Sequence, residues 1–114
     1  VATGIGRRGL DKALDNTGFR ELFHTTRCAD ETRSKPHPQM LEEILDELGV
    51  ESQRAVMIGD TEYDLQMAKN AGVHGIGVSY GVHDSERLHQ CEPVAIIDEI
   101  RALLNWLNGE KIAV

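Results

Sequence analysis

Aromatic side chains are scarce in this 114-residue chain, at 4% of the sequence, so any core it builds is aliphatic. Cysteine is scarcer still: Cys28 and Cys91 are too few for a disulfide framework and lack the spacing of a metal-ligand set, so both read as reduced, unreactive thiols. Positive charge is in deficit, with 12 Lys and Arg against 19 Asp and Glu and a formal net charge of −7, which argues against nucleic acid or an anionic membrane surface as partner. No apolar run approaches the roughly 18 residues that span a bilayer, and no signal-peptide pattern is visible, so the expected location is the cytoplasm. Repeats, linkers and low-complexity tracts are lacking. The histidines at 24, 37, 74, 83 and 89 form no pair at metal-ligand spacing on a helix face and read as structural or solvated groups. His37 stands apart only because Lys35 is close by.

What the chain does contain is an alternation of strand and helix signals, the pattern of an α/β fold, and its 40% hydrophobic content is enough for one core. Val1-Ala2-Thr3-Gly4 reads as the end of an apolar strand, followed by a helix from about Arg7 to Asn16 that stops at Gly18. Leu22 to Cys28 is expected to be a short strand. A helix over Pro38–Leu48 carries the apolar stripe Met40, Leu41, Ile44, Leu45 and Leu48 and ends at Gly49. Strand Ala55–Ile58, helix Glu62–Asn70, strand Val73–Val78 and strand Val94–Ile97 follow. The last helix is expected to be capped by Asp98 and to bury Ile100, Leu103, Leu104 and Leu107. Residues between Tyr80 and Pro93 look irregular, with His83, Asp84 and Glu86 among them.

The segment Val56-Met57-Ile58-Gly59-Asp60-Thr61-Glu62-Tyr63-Asp64-Leu65 concentrates the chemistry. A buried strand delivers two carboxylates into a turn that opens a helix, and Asp60 and Asp64, four apart, project from one face of it. Two carboxylates at 4 Å repel by about 4 kcal/mol at an effective dielectric near 20, so a proton or a cation must relieve them. Mg²⁺ suits oxygen ligands and keeps positions open for a phosphate. The plainer alternative is an N-capping Asp60 beside a solvated Asp64, and Thr61 fits either a cap or a donor to an Asp carboxylate. Upstream, Ser34-Lys35-Pro36-His37-Pro38 places Lys35 at a loop-to-helix junction, where a solvated lysine is the ordinary alternative. The turn at Thr3 and Gly4 offers a hydroxyl and backbone N–H groups to an anion. A Ser34–Lys35 hydrolase finds no support, because adjacent residues seldom face each other and nothing marks an oxyanion hole.

In order and spacing these pieces resemble the haloacid dehalogenase (HAD) superfamily of phosphohydrolases, in its phosphoglycolate-phosphatase-like branch. Thr3 matches the second family motif, Lys35 in Lys-Pro-x-Pro the third, and Gly59-Asp60-x-x-x-Asp64 the fourth, over Val1 to about Leu107. The resemblance implies a Rossmann-like three-layer sandwich with a mostly parallel sheet. It also implies Mg²⁺ bound through Asp60 and Asp64, a transferring phosphoryl group held by Thr3, Gly4 and Lys35, and a small phosphorylated metabolite, phosphoglycolate by default, as substrate. The first motif, Asp-x-Asp-x-Thr, which carries the nucleophile and the general acid/base, does not occur in these 114 residues, and neither does the helical cap domain. The chain is therefore expected to be the C-terminal part (1–114) of a larger HAD-like core, inactive alone, with its attacking Asp elsewhere.

In this family the absent first strand lies between the second and the fourth. Its loss predicts either association across the gap, with a second copy or the N-terminal half, or direct pairing of the strands on either side. The competing class is a non-catalytic module. A receiver-like domain would carry its lysine after the acids rather than before them, and a degenerate HAD scaffold differs only in the upstream residues.

Overall fold

Short β-branched segments separated by amphipathic helices fold here as parallel strands joined by helical crossovers, in a computed structural model that describes residues 1–81 and 83–108. The order is β1 (Ala2–Thr3), α1 (Arg7–Thr17), β2 (Arg27–Cys28), α2 (Gln39–Leu48), β3 (Val56–Gly59), α3 (Glu62–Asn70), β4 (His74–Val78), α4 (Ser85–His89), β5 (Ala95–Ile97) and α5 (Arg101–Asn108). Gly18 and Gly49 close α1 and α2 in the left-handed conformation at φ 71° and 66°.

The strands form two parallel sheets, β1-β2 and β3-β4-β5. Of the two consequences expected from a missing central strand, direct pairing is not realised: β1 and β3 belong to different sheets, and among the described residues β3 pairs with β4 alone. Period-2 alternation explains how the layers are covered. Met57 and Ala2 point to one face, where Met40, Leu41, Met67, Ala68 and Val73 of the α2–α3 layer bridge the two sheets. Beside them Leu65, Leu88 and Cys91 pack with Ile96. On the other face α1 buries Leu10 and Leu14 against Cys28, and α5 covers Ile76, Val78 and Ile97. Val56 and Ile58 stay 36% and 38% exposed on that face, so the edge of β3 is apolar and open.

Three expectations need correction. The strand over Leu22–Cys28 shrinks to Arg27–Cys28, because Arg20–Leu22 forms a 3₁₀ turn and no strand among the described residues pairs with residues 22–24, leaving Leu22 69% exposed. The last helix starts at Arg101, and Asp98 does not cap it; its carboxylate accepts from Ser79 Oγ at 2.6 Å. Ala102, Leu103 and Trp106 take the buried stripe of α5, and the 3.6-residue period then turns Leu104 and Leu107 outward, with Ile100 also exposed. The stretch read as irregular holds α4, capped by Asp84, whose Oδ1 accepts from Arg87 N at 3.0 Å, and held by the fully buried Leu88. One turn and a half is too short for a helical period to stand out in the sequence.

Candidate active site

A groove of about 330 Å³ opens at the carboxyl ends of the strands, between the edges of β1 and β3. Ala2, Met57, Ile58, Gly59 and Val78 line it from the strands, Lys35 from the loop before α2, Asp60 and Asp64 from the β3–α3 turn, and Tyr80 and Gly81 from the loop after β4. Its charged lining is thus one ammonium and two carboxylates.

The fourth-motif segment folds as it does because helix starts leave backbone N–H groups without acceptors. Thr61 is the N-cap of α3, and its hydroxyl accepts from Asp64 N at 3.2 Å. Asp64 returns the favour through Oδ2, which accepts from Thr61 N at 3.2 Å and from Thr61 Oγ1 at 2.9 Å, completing a capping box. Oδ1 of the same carboxylate accepts from Lys35 Nζ across 29 residues of sequence. Asp64 is 5% exposed, so both its oxygens are committed to protein donors in a nearly dry site. Gly59 makes this possible: a Cβ placed there would lie 2.2 Å from Asp64 Cβ.

Lys35, Asp60 and Asp64 are therefore brought together, and Thr3 and Gly4 are not in the groove's lining. They follow Ala2, which is. Thr3 Oγ1 accepts from Ile5 N at 3.3 Å, which leaves its hydroxyl hydrogen to donate, and a Cβ on Gly4 would meet nothing within 4 Å. At the start of α1, Arg7 N donates to both Asp30 oxygens at 3.0 and 3.1 Å, so that amide is taken by the chain itself. His37 is not in the groove's lining; its Nδ1 accepts from Gln39 N, the first amide of α2, at 3.1 Å. Sequence reasoning passed over Tyr80, Gly81 and His83. His83 is 8% exposed, and its Nδ1 accepts from Glu62 N at 2.9 Å. No local sequence signal marks it, because the amide it accepts from lies 21 residues away.

The donor set bears on a cation. Among the described residues no cluster of three or more His, Cys, Asp and Glu could hold a metal. Two carboxylates facing a solvent-open groove nonetheless fit Mg²⁺, which retains several waters and shares its sphere with substrate phosphate. Among the described residues the groove is lined by no His or Cys, the ligands on which Zn²⁺ sites are mainly built. Among the described residues no helix is long and apolar enough to cross a membrane.

Parallel crossovers with a polar groove at the strand ends define a Rossmann-like α/β domain. Residues 32–103 match the HAD-hydrolase-like family model. The chain is 44% identical over 99 residues to a probable phosphatase, IndB, of Dickeya dadantii, covering 86% of this chain and 43% of that protein. It is 40% identical over 74 residues to a phosphoglycolate phosphatase of Rhodospirillum rubrum, covering 65% and 30%, and 27% identical over 108 residues to the pyrophosphatase PpaX of Oceanobacillus iheyensis, covering 94% and 50%. In structure it superposes with a TM-score of 0.85 on a putative β-phosphoglucomutase of Thermotoga maritima, at 24% identity over 96% of this chain and 51% of that one. The chain belongs to the HAD-like hydrolase family. It spans about half the length or less of the curated relatives it matches.

Proposed function

We propose that residues 1–114 form the C-terminal part of a HAD-like core domain, without a cap, in a cytoplasmic Mg²⁺-dependent phosphate-monoester hydrolase of the phosphoglycolate-phosphatase kind. The observation that carries this reading is the groove in which Lys35, Asp60 and Asp64 converge at the carboxyl edge of β3. The relatives named as phosphatases support the reaction class, and their names suggest two substrates to set against each other, phosphoglycolate and pyrophosphate.

In this reading Lys35 is a point charge for the phosphoryl oxygens, held in place by Asp64. Asp60 would be the direct ligand of the metal, as the family resemblance implies, and Asp64, with both oxygens bonded to protein donors, would act through water. A bound Mg²⁺ supplies positive charge that offsets repulsion between an anionic nucleophile and the phosphate. Thr3 and Gly4, beyond Ala2 at the end of β1, donate a hydroxyl and a backbone N–H to the transferring group. The nucleophilic Asp, and the aspartyl-phosphate it forms, come from a segment outside these residues. That segment also supplies the strand that pairs with the open edge of β3 between Ala2 and Met57, or a second copy of the chain does.

The test is phosphate release from 2-phosphoglycolate, pyrophosphate and an aryl phosphate by the intact protein, with and without Mg²⁺, beside Asp60→Asn and the isolated 114 residues. Hydrolysis that needs Mg²⁺ and disappears in Asp60→Asn and in the isolated chain is expected. Turnover that Asp60→Asn leaves intact would falsify the assignment, and a protein that binds Mg²⁺ and phosphate without turnover is a non-catalytic scaffold.

A further inference from the structure

The loop after β4 folds back over the turn that follows β3 and is fastened to it at three points. His83 N donates to Asp60 O at 3.1 Å. Glu62 N donates to His83 Nδ1 at 2.9 Å. Gly81 stands so close to Asp60 that a Cβ there would fall 2.1 Å from Asp60 Cβ and 2.5 Å from its Oδ2. The imidazole is 8% exposed and meets the Tyr63 ring edge-on at 5.5 Å. Behind it the loop is fixed by α4, through the Asp84 cap, the buried Leu88 and the Arg87–Glu62 ion pair.

Each acceptor at the start of α3 has a distinct origin. The Thr61 hydroxyl takes Asp64 N and the Asp64 carboxylate takes Thr61 N, both local. The acceptor for Glu62 N comes from 21 residues away. Capping alone would be served as well by a nearby Ser or Asp. A third carboxylate would, however, add repulsion beside Asp60 and Asp64, whereas an imidazole accepting at Nδ1 adds no negative charge. His83 grips the Asp60 carbonyl and the amide of Glu62 two residues later, and so holds the turn that carries Asp60.

We propose that His83 is a positioning residue for Asp60: by clamping the Asp60–Glu62 turn to the loop after β4 it fixes the carboxylate in the orientation that binds a divalent cation. The inference rests on the reading of Asp60 as that cation's ligand. It differs from simple helix capping in tying metal affinity, and not only stability, to a hydrogen-bond acceptor at the Nδ1 position. Groups that orient metal ligands in this way change metal affinity by about 10- to 100-fold when removed.

Mn²⁺ binding to the intact protein, followed through the EPR signal of the free ion, tests this in His83→Ala, His83→Phe and His83→Asn. The Asn Oδ1 can stand where Nδ1 does. Ala and Phe are expected to weaken Mn²⁺ by about 10-fold or more, Asn by about 3-fold or less. Hydrogen exchange at the Glu62 amide should quicken in Ala and Phe but not in Asn. Unchanged Mn²⁺ affinity in His83→Ala, or equal behaviour of Phe and Asn, overturns the proposal. Should His83→Ala fail to fold, the Phe and Asn comparison decides alone. Wild-type protein that binds no Mn²⁺, or Asp60→Asn that binds it equally well, removes the metal reading instead; Glu62 exchange then decides whether His83 holds the turn, and unchanged exchange overturns that as well.

Discussion

Replacing Asp64 by Ala should be among the most damaging single changes in this chain, for reasons that separate cleanly. The carboxylate is 5% exposed and pairs with Lys35, whose side chain is 16% exposed. Breaking a buried pair from one side costs about 3–5 kcal/mol, mostly because the other charge is stranded; the residual exposure of Lys35 argues for the lower end. The same substitution deletes the acceptor for Thr61 N and Thr61 Oγ1, worth about 1 kcal/mol as a helix cap. Together these give about 4 kcal/mol for Asp64→Ala. Urea unfolding with an unchanged m-value measures it. Lys35→Met in the same background removes the stranded ammonium, so the double variant should recover about 1–3 kcal/mol relative to the sum of the singles. Asp64→Asn keeps an oxygen for Thr61 and isolates the charge contribution. A cost below about 1 kcal/mol for Asp64→Ala, or additivity with Lys35→Met within about 0.5 kcal/mol, refutes the reasoning.

Gly59→Ala should be destabilised by about 1–3 kcal/mol, since its Cβ would lie 2.2 Å from that of Asp64. Thermal unfolding close to wild type would show that the turn relaxes freely. The Arg7 guanidinium, bonded to Glu31 at 2.8 and 3.1 Å, holds that carboxyl below its usual value of 4.5, helped by the Cys28 amide. A depressed folded-state pKa contributes stability above the unfolded value and loses it as the pH falls through the folded one. The gap in melting temperature between wild type and Glu31→Gln should therefore be full at neutral pH and close below about pH 4.5; a gap constant from neutral to strongly acidic pH contradicts this. Burial raises the thiols of Cys28 and Cys91, so a thiol-specific reagent should label both slowly until urea is added. Immediate native labelling would mean that their sites open readily.

Which parts of this structure were legible follows from the range over which each signal acts. Helix α3 was readable end to end because the information is local, with Thr61 and Asp64 capping each other three residues apart. The Asp60–Asp64 spacing was local too. The Lys35–Asp64 pair, 29 residues apart, could be anticipated only through the order of the motifs. Elements whose state depends on a partner were misread. Leu22 and Phe23 have strand-forming side chains but no strand opposite, and the face that α5 buries is decided by Trp106 settling against Ile76, Val78 and Ile97. His83 lies at the far end of the same scale: its role needs one unmatched amide and one imidazole to meet across two loops.

The open edge of β3 extends this logic to the intact protein. Among the described residues the backbone of Val56–Gly59 is paired on its β4 side only, and Val56 and Ile58 remain more than a third exposed beside it. An apolar edge in that state is a template for another strand. A parallel strand seated there would flank both side chains, join the two sheets into one, and bring its carboxyl end to the groove that holds Lys35. On the proposed reading the sheet edge and the site are two aspects of a single gap, and whatever closes one is placed to complete the other.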